Sequence, residues 1–276
     1  MDVAVMTNPN QALWEKGDFA RIARTMRQSG ADLVAELAVA PGMQVLDLGC
    51  GDGTTAVPLA RRGADVLGVD IARNLVAAGN ERAQAAGLAN LRFECGDAAN
   101  LGGLADDAFD LVVSIFGAMF APRPFDVARE MVRVTRPGGQ VVMGNWIPGD
   151  PTLVAQILRI SSAYTPPPPE GFVSPMLWGD EAAVRERFAA AGIAAEDIGF
   201  EQATWWFRHP GPAADLMQIF KRYYGPTMNA FEAAAKAGRE GALEAELTDL
   251  FDAQNQGTDR TEIPATFLKV TVFKDS

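Results

Sequence analysis

The stretch Val45-Leu46-Asp47-Leu48-Gly49-Cys50-Gly51-Asp52-Gly53-Thr54 carries most of what this sequence says about its fold. An apolar run ends abruptly in a loop with glycine at 49, 51 and 53, and an amphipathic segment follows. Glycine has no Cβ, so the chain can turn sharply there and its backbone can come close to a ligand. A helix that starts behind such a loop offers unpaired N–H groups. If the run is the first strand of a doubly wound sheet, the loop falls at the carboxyl ends of the strands, where such folds bind ligands. Taken alone, the same loop also reads as a plain tight turn.

The flanking sequence supports the sheet. Strand candidates at 44–48, 65–70, 91–94, 109–114 and 140–145 alternate with helical segments at 54–62, 73–86 and 125–134. That alternation predicts crossover units and a mostly parallel sheet. The run Leu111-Val112-Val113 suits a strand buried on both faces. Upstream, 18–38 reads as one or two helices, with Ile22, Met26, Leu33, Val34 and Leu37 on one stripe. Downstream of Asn145 the regularity breaks. Helices are expected at 152–164, 181–191, 213–224, 228–236 and 242–254, with the prolines at 166–169 ending the first of these. Further strands are expected at 202–207 and 265–273. In the last, Leu268, Val270 and Val272 face one way and Phe267, Lys269, Thr271 and Phe273 the other, as in a strand returning to the sheet.

Composition narrows the function. With 276 residues, 48% of them hydrophobic, the chain can bury a full core. Its 24 Lys plus Arg against 35 Asp plus Glu leave a net charge of −11, which disfavours nucleic acid and anionic membrane surfaces as partners. Cys50 and Cys95 are too few for a disulfide scaffold or a cysteine-built zinc site. No apolar run is long enough to predict a membrane span, and residues 1–10 do not read as a secretion signal. The expected location is the cytoplasm.

Acids recur at the strand ends. Asp70 closes the second strand, where a carboxylate can accept bonds from ribose hydroxyls, and Asp97 follows the third in Cys95-Gly96-Asp97-Ala98. Either alone also reads as a solvated loop residue or a helix cap.

With these motifs in this order, the chain resembles the class I S-adenosylmethionine-dependent methyltransferases, nearest the ubiquinone/menaquinone-biosynthesis type and its small-molecule relatives. The 45–54 stretch resembles their first signature. Gly68-Val69-Asp70-Ile71 resembles their acidic strand end, and Gly96-Asp97-Ala98 their adenine turn. Phe109-Asp110-Leu111-Val112-Val113-Ser114 resembles their fourth strand, and Val134-Thr135-Arg136-Pro137-Gly138-Gly139 the turn into their fifth. The resemblance covers about 40–145. It implies a Rossmann-like, doubly wound, mostly parallel seven-stranded α/β sheet with its last strand antiparallel. It also implies S-adenosyl-L-methionine as cofactor and S-adenosyl-L-homocysteine as product. Asp47, Gly49, Cys50 (through its backbone) and Gly51 would hold the methionine part. Asp70 would bind the ribose, Ile71 would pack on the adenine, and Asp97 with Ala98 would address its edge. Ser114 and Phe116 would lie near the sulfonium. Trp14-Glu15-Lys16-Gly17-Asp18-Phe19 resembles a lid segment in which Phe19 covers the cofactor and Lys16 or Arg21 meets its carboxylate. The expected organisation is a helical lid over 1–39, a cofactor core over 40–146, and a region 147–276. That last region completes the sheet (about 180–207 and 262–274) and inserts a helical substrate lid (about 151–178 and 210–257).

Two rivals use the same loop. A dinucleotide oxidoreductase fits Gly49, Gly51 and Asp70, but Thr54 stands where its third glycine belongs. A catalytically silent cofactor-binding protein would keep the whole pattern. Among methyl acceptors, Ser114-Ile115-Phe116-Gly117 lacks the Asn/Asp-Pro-Pro motif of the enzymes that methylate amino groups of nucleobases. No metal site of the catechol type is readable, so no metal is expected. A small, largely apolar acceptor is expected, methylated on O, N or C, with Trp146, Tyr164, Trp178 and Tyr224 as substrate-binding candidates. His209, the only histidine, is the candidate general base, and Tyr223 a second catalytic candidate. The aromatic second half suits a homodimer surface as well as a lid.

Overall fold

The computed structural model describes residues 10–275, so residues 1–9 of the expected N-terminal lid lie outside it, as does nearly all of the 1–10 stretch read for a secretion signal. Seven strands form one sheet: β1 (Gln44–Leu48), β2 (Asp65–Asp70), β3 (Leu91–Cys95), β4 (Phe109–Ile115), β5 (Thr135–Trp146), β6 (Ile198–His209) and β7 (Thr261–Phe273). Their spatial order is β3-β2-β1-β4-β5-β7-β6. The first five strands pair in parallel. β7 runs antiparallel to both β5 and β6. From β1 the chain steps outward through β2 and β3, then returns to lay β4 on the other side of β1. That reversal opens a crevice between the ends of β1 and β4, the usual ligand position in such sheets.

Helices α1 (Gln11–Lys16), α2 (Phe19–Ala23) and α3 (Arg27–Glu36) precede the sheet, and α4 (Ala56–Arg61), α5 (Arg73–Ala85) and α6 (Pro124–Val134) connect its parallel strands. Then come α7 (Leu153–Ser162), α8 (Glu181–Ala189), α9 (Ala213–Tyr223), α10 (Gly225–Lys236) and α11 (Glu240–Gln254). Pro124 opens α6, where its missing N–H costs nothing. Asp180 caps α8 by accepting the Ala183 N–H. Helix α1 lies upstream of the helices expected from the apolar stripe. It is six residues long and contains no buried residue, so it leaves little periodic signal.

β6 and β7 are longer than their patterns suggest. They pair over twelve positions, from Ile198↔Val272 to His209↔Thr261. β5 ends at Trp146↔Phe267, so the first part of β7 has only β6 as neighbour. Pro264 is tolerated there because that stretch of β7 has one free edge. Val45, Val66, Leu111, Val113 and Val142 pack on one sheet face with Val34, Ala56 and Leu59 from α3 and α4. Leu46, Leu67, Val112, Val141 and Met143 pack on the other, with Val127 and Met131 of α6 and Phe188 of α8. No helix among the described residues is long and apolar enough to cross a membrane.

Candidate active site

The loop after β1 turns through Gly49 and Gly51, at φ 70° and 55°, conformations that favour glycine. A Cβ on Gly51 would meet no heavy atom nearer than Phe19 Cδ1 at 4.0 Å, so this part of the backbone is open. Gly49 is the reverse: a Cβ there would sit 2.6 Å from Gly117 Cα. The β1 and β4 loops therefore touch backbone to backbone at the switch point. Ser114 holds the second loop in place, donating to the Leu48 carbonyl at 2.7 Å and accepting the Ala118 N–H at 3.0 Å.

These loops border an open cavity of about 950 Å³. Its walls include Gly49, Cys50, Gly51 and Asp52 after β1, Asp70 and Ile71 after β2, Gly96, Asp97 and Ala98 after β3, and Phe116 after β4. Eight of the sequence-expected cofactor residues thus line one space, and Phe19 of α2 makes a ninth. Asp47 and Ser114 stand one layer behind it. Asp47 accepts a hydrogen bond from the hydroxyl of Thr55, itself a wall residue, and its other oxygen, Oδ1, has no partner among the described residues.

Asp70 accepts the Gly51 N–H at 2.8 Å and the Ala72 N–H at 2.9 Å, so it braces the glycine loop while facing the cavity. Burial raises the Asp70 carboxyl, with the backbone N–H groups pulling it back. Burial pushes the Asp47 carboxyl up to about 7, partly offset by Thr55 and the Ala56 N–H. Burial also holds the Cys50 thiol well up, so it stays protonated. Asp97 Oδ1 accepts the Ala99 N–H at 2.9 Å and shapes the turn after β3.

Asp52 was not singled out by sequence. Its carboxylate is 1% exposed and is held by Arg27 Nη2 of α3 at 2.6 Å and Arg82 Nη1 of α5 at 3.4 Å. Arg27 thus fastens the N-terminal helices to the cofactor-side loop. Asn10 reaches the Phe120 carbonyl, Glu15 accepts the Arg73 N–H, and Asn74 donates to the Gly17 carbonyl. Together these bonds lay α1 and α2 over the cavity, with Trp14, Phe19 and Met26 in its wall.

A second cavity, of about 350 Å³, adjoins the first. Trp14, Phe19, Met26, Phe116 and Phe120 line both. Trp146, Val154, Phe207, Phe220 and Tyr224 help to close the rest. Of the four residues expected to bind substrate, Trp146 and Tyr224 line this cavity. The other candidates do not. Tyr164 donates to Glu246 at 2.5 Å, joining α11 to the end of α7. Trp178 is 1% exposed and packs against Phe188, with the Arg187 guanidinium 4.5 Å over its ring. Tyr223 lies beneath Arg21. His209 ends β6 opposite Thr261, six positions beyond the level of Trp146, because the β6–β7 ribbon outruns β5. None of these four lines either cavity. Lys16 pairs with Glu232 and Arg21 with Asp18, so neither expected carboxylate partner is in the walls. No His/Cys/Asp/Glu cluster that could hold a metal occurs among the described residues.

Comparison with known proteins agrees with this geometry. A family model described as a methyltransferase domain matches residues 46–143. An uncharacterized protein of Mycobacterium tuberculosis is 33% identical over 239 residues, covering 86% of this chain and 84% of that protein. A demethylmenaquinone methyltransferase of Mycobacterium marinum is 33% identical over 172 residues, covering 58% of this chain and 71% of its own length. By fold, the chain is similar to phosphoethanolamine N-methyltransferase 2 of Haemonchus contortus, solved with phosphomonomethylethanolamine and S-adenosylhomocysteine. The TM-score is 0.60 at 17% identity, covering 100% of this chain and 62% of that one. The sheet is that of a Rossmann-like methyltransferase. The chain belongs to the class I S-adenosylmethionine-dependent methyltransferases.

Proposed function

We propose that this enzyme transfers a methyl group to an O, N or C nucleophile of a small, largely apolar molecule. The observation that carries this reading is the shared wall. The loop-lined cavity and the apolar one have Phe116 and four other side chains in common.

The residues fit the cofactor. The glycine loop is open at Gly51, and the buried Asp47 Oδ1 is unpaired. Asp47 and the 49–51 backbone would serve the methionine part, Asp70 the ribose, and Ile71, Asp97 and Ala98 the adenine. When bound, S-adenosylmethionine supplies a sulfonium methyl that leaves by in-line displacement. The chain's share is to bind, orient and exclude water. Phe116 and Phe19 offer ring faces that attract a cation. In this reading α1 and α2 form the cover over the cofactor, and α7 and α9 form the cover over the acceptor.

A titration with S-adenosylhomocysteine, with NAD as control, tests the reading. At about 100 times the dissociation constant the homocysteine compound should stabilise the fold by about 2.7 kcal/mol and raise the midpoint by several degrees. Asp70→Ala should weaken that binding tenfold or more, since a wall carboxylate and two loop hydrogen bonds disappear together. Stabilisation by NAD alone, or unchanged binding in Asp70→Ala, overturns the proposal.

A further inference from the structure

The smaller cavity has a chemistry of its own. Ten of its eleven lining residues are hydrocarbon, indole or thioether side chains, and the eleventh is Tyr224. No Asp, Glu, Lys, Arg or His among the described residues lines it. An anion placed there would lose its hydration with no countercharge in return, which is costly. Flat faces dominate its walls. Phe116 lies on Trp146 with centroids 3.6 Å apart, Trp14 meets Phe120 edge-on at 5.0 Å, and Phe220 meets Tyr224 at 5.4 Å.

Among the described residues the lining side chains carry two indole N–H groups, on Trp14 and Trp146, and one hydroxyl, that of Tyr224. The Tyr224 hydroxyl has no hydrogen-bond partner among the described residues. The hydroxyl belongs to a buried residue and stands in the cavity wall, where a ligand oxygen can pair with it. Burial favours its protonated form, so its O–H is available to donate a hydrogen bond. Val154, on α7, closes the cavity and does not touch the larger one.

We infer that the smaller cavity binds a planar ring compound that bears no negative charge and carries an oxygen that accepts a hydrogen bond from Tyr224, with Val154 lining the side far from the larger cavity. The ring's role as methyl acceptor rests on the function proposed above. Its binding does not. Among the described residues no carboxylate or imidazole lines this cavity, so within it the ring meets no side-chain base.

The test uses 2-naphthol and naphthalene-2-sulfonate as probes, titrated by calorimetry into the full chain saturated with S-adenosylhomocysteine. The neutral naphthol should bind saturably and the sulfonate at least tenfold more weakly. Tyr224→Phe should weaken naphthol about fivefold, the value of one hydrogen bond. Val154→Trp should abolish naphthol binding while leaving the affinity for S-adenosylhomocysteine within about twofold. The inference is overturned if naphthol does not saturate in protein that binds S-adenosylhomocysteine. It is also overturned if the sulfonate binds as well, or if Val154→Trp that still binds S-adenosylhomocysteine leaves naphthol binding unchanged. The comparison of the two probes on the unaltered protein stands whatever the variants do to folding. Failure to bind S-adenosylhomocysteine at all would count instead against the cofactor site.

Discussion

Phe116 lies flat on Trp146, with ring centroids 3.6 Å apart and planes 7° from parallel, while its own backbone is held at φ 59°. A non-glycine residue in the left-handed region costs about 1–3 kcal/mol and persists where the surroundings enforce it. Here the enforcement is visible. The Phe116 N–H donates to the Gly144 carbonyl at 2.9 Å, and Trp205 and Phe267 meet the ring edge-on. The strain fixes one ring as the partition between two cavities.

Phe116→Ala should therefore lose the packing and keep the strain, costing about 3 kcal/mol in urea unfolding. Phe116→Gly should be about 1 kcal/mol more stable than Phe116→Ala, the reverse of the usual order, because glycine adopts this φ freely. Equal stability of the two variants would show that the backbone conformation carries no cost.

Gly117 tests the contact between the two loops. Its own φ of −94° suits alanine, but a Cβ would sit 2.3 Å from the Gly49 carbonyl oxygen. Both atoms belong to backbone, so the glycine loop must move. Gly117→Ala should cost about 2 kcal/mol and weaken S-adenosylhomocysteine tenfold or more. Calorimetry and urea unfolding on the same sample measure both effects.

Asp47 sets a pH dependence. Its carboxyl is raised from 3.8 to about 7 by burial. The folded state thus holds a proton that the unfolded chain has released. This contribution to stability is fully present below about pH 4 and is lost as pH rises through about 7. Asp70 is shifted in the same direction. The ligand-free protein should lose stability between about pH 4 and pH 7 on this account. Asp47→Asn should flatten that slope while keeping an acceptor for the Thr55 hydroxyl. A slope unchanged by the substitution would assign the pH dependence to other groups.

Arg27 connects the N-terminal helices to the glycine loop. Arg27→Met removes the 2.6 Å contact to a carboxylate that is 1% exposed. Arg82 remains as a longer partner at 3.4 Å, so the expected cost is about 2 kcal/mol rather than that of a bare buried charge. Hydrogen exchange should quicken across 10–26, the segment that Arg27 and the bonds from Asn10, Glu15 and Gly17 lay over the cavity. Exchange unchanged there would show that the other bonds suffice.

The sequence by itself determined the sheet and the ligand loops. Apolar runs of four to seven residues ending in Gly or Asp are local signals, and a parallel sheet brings its carboxyl strand ends together whatever the details of packing. Gly49, Asp70 and Asp97 could therefore be placed from spacing and resemblance, and all three line one cavity. What only the tertiary structure decided was which second-half aromatics face that cavity. Trp146, Trp178, Tyr164 and Tyr224 look alike as sequence. The register of β5 against β7 and the packing of α9 send Trp146 and Tyr224 inward, while Trp178 packs against α8 and Tyr164 against α11. His209 was moved away by strand length, since a ladder twelve positions long carries the end of β6 past the cavity. The Arg27–Asp52–Arg82 clamp had no sequence signal, because it joins three segments with no fixed spacing. Local periodicity encodes elements and their ends. The choice among chemically similar side chains belongs to long-range packing, which no short window of sequence contains.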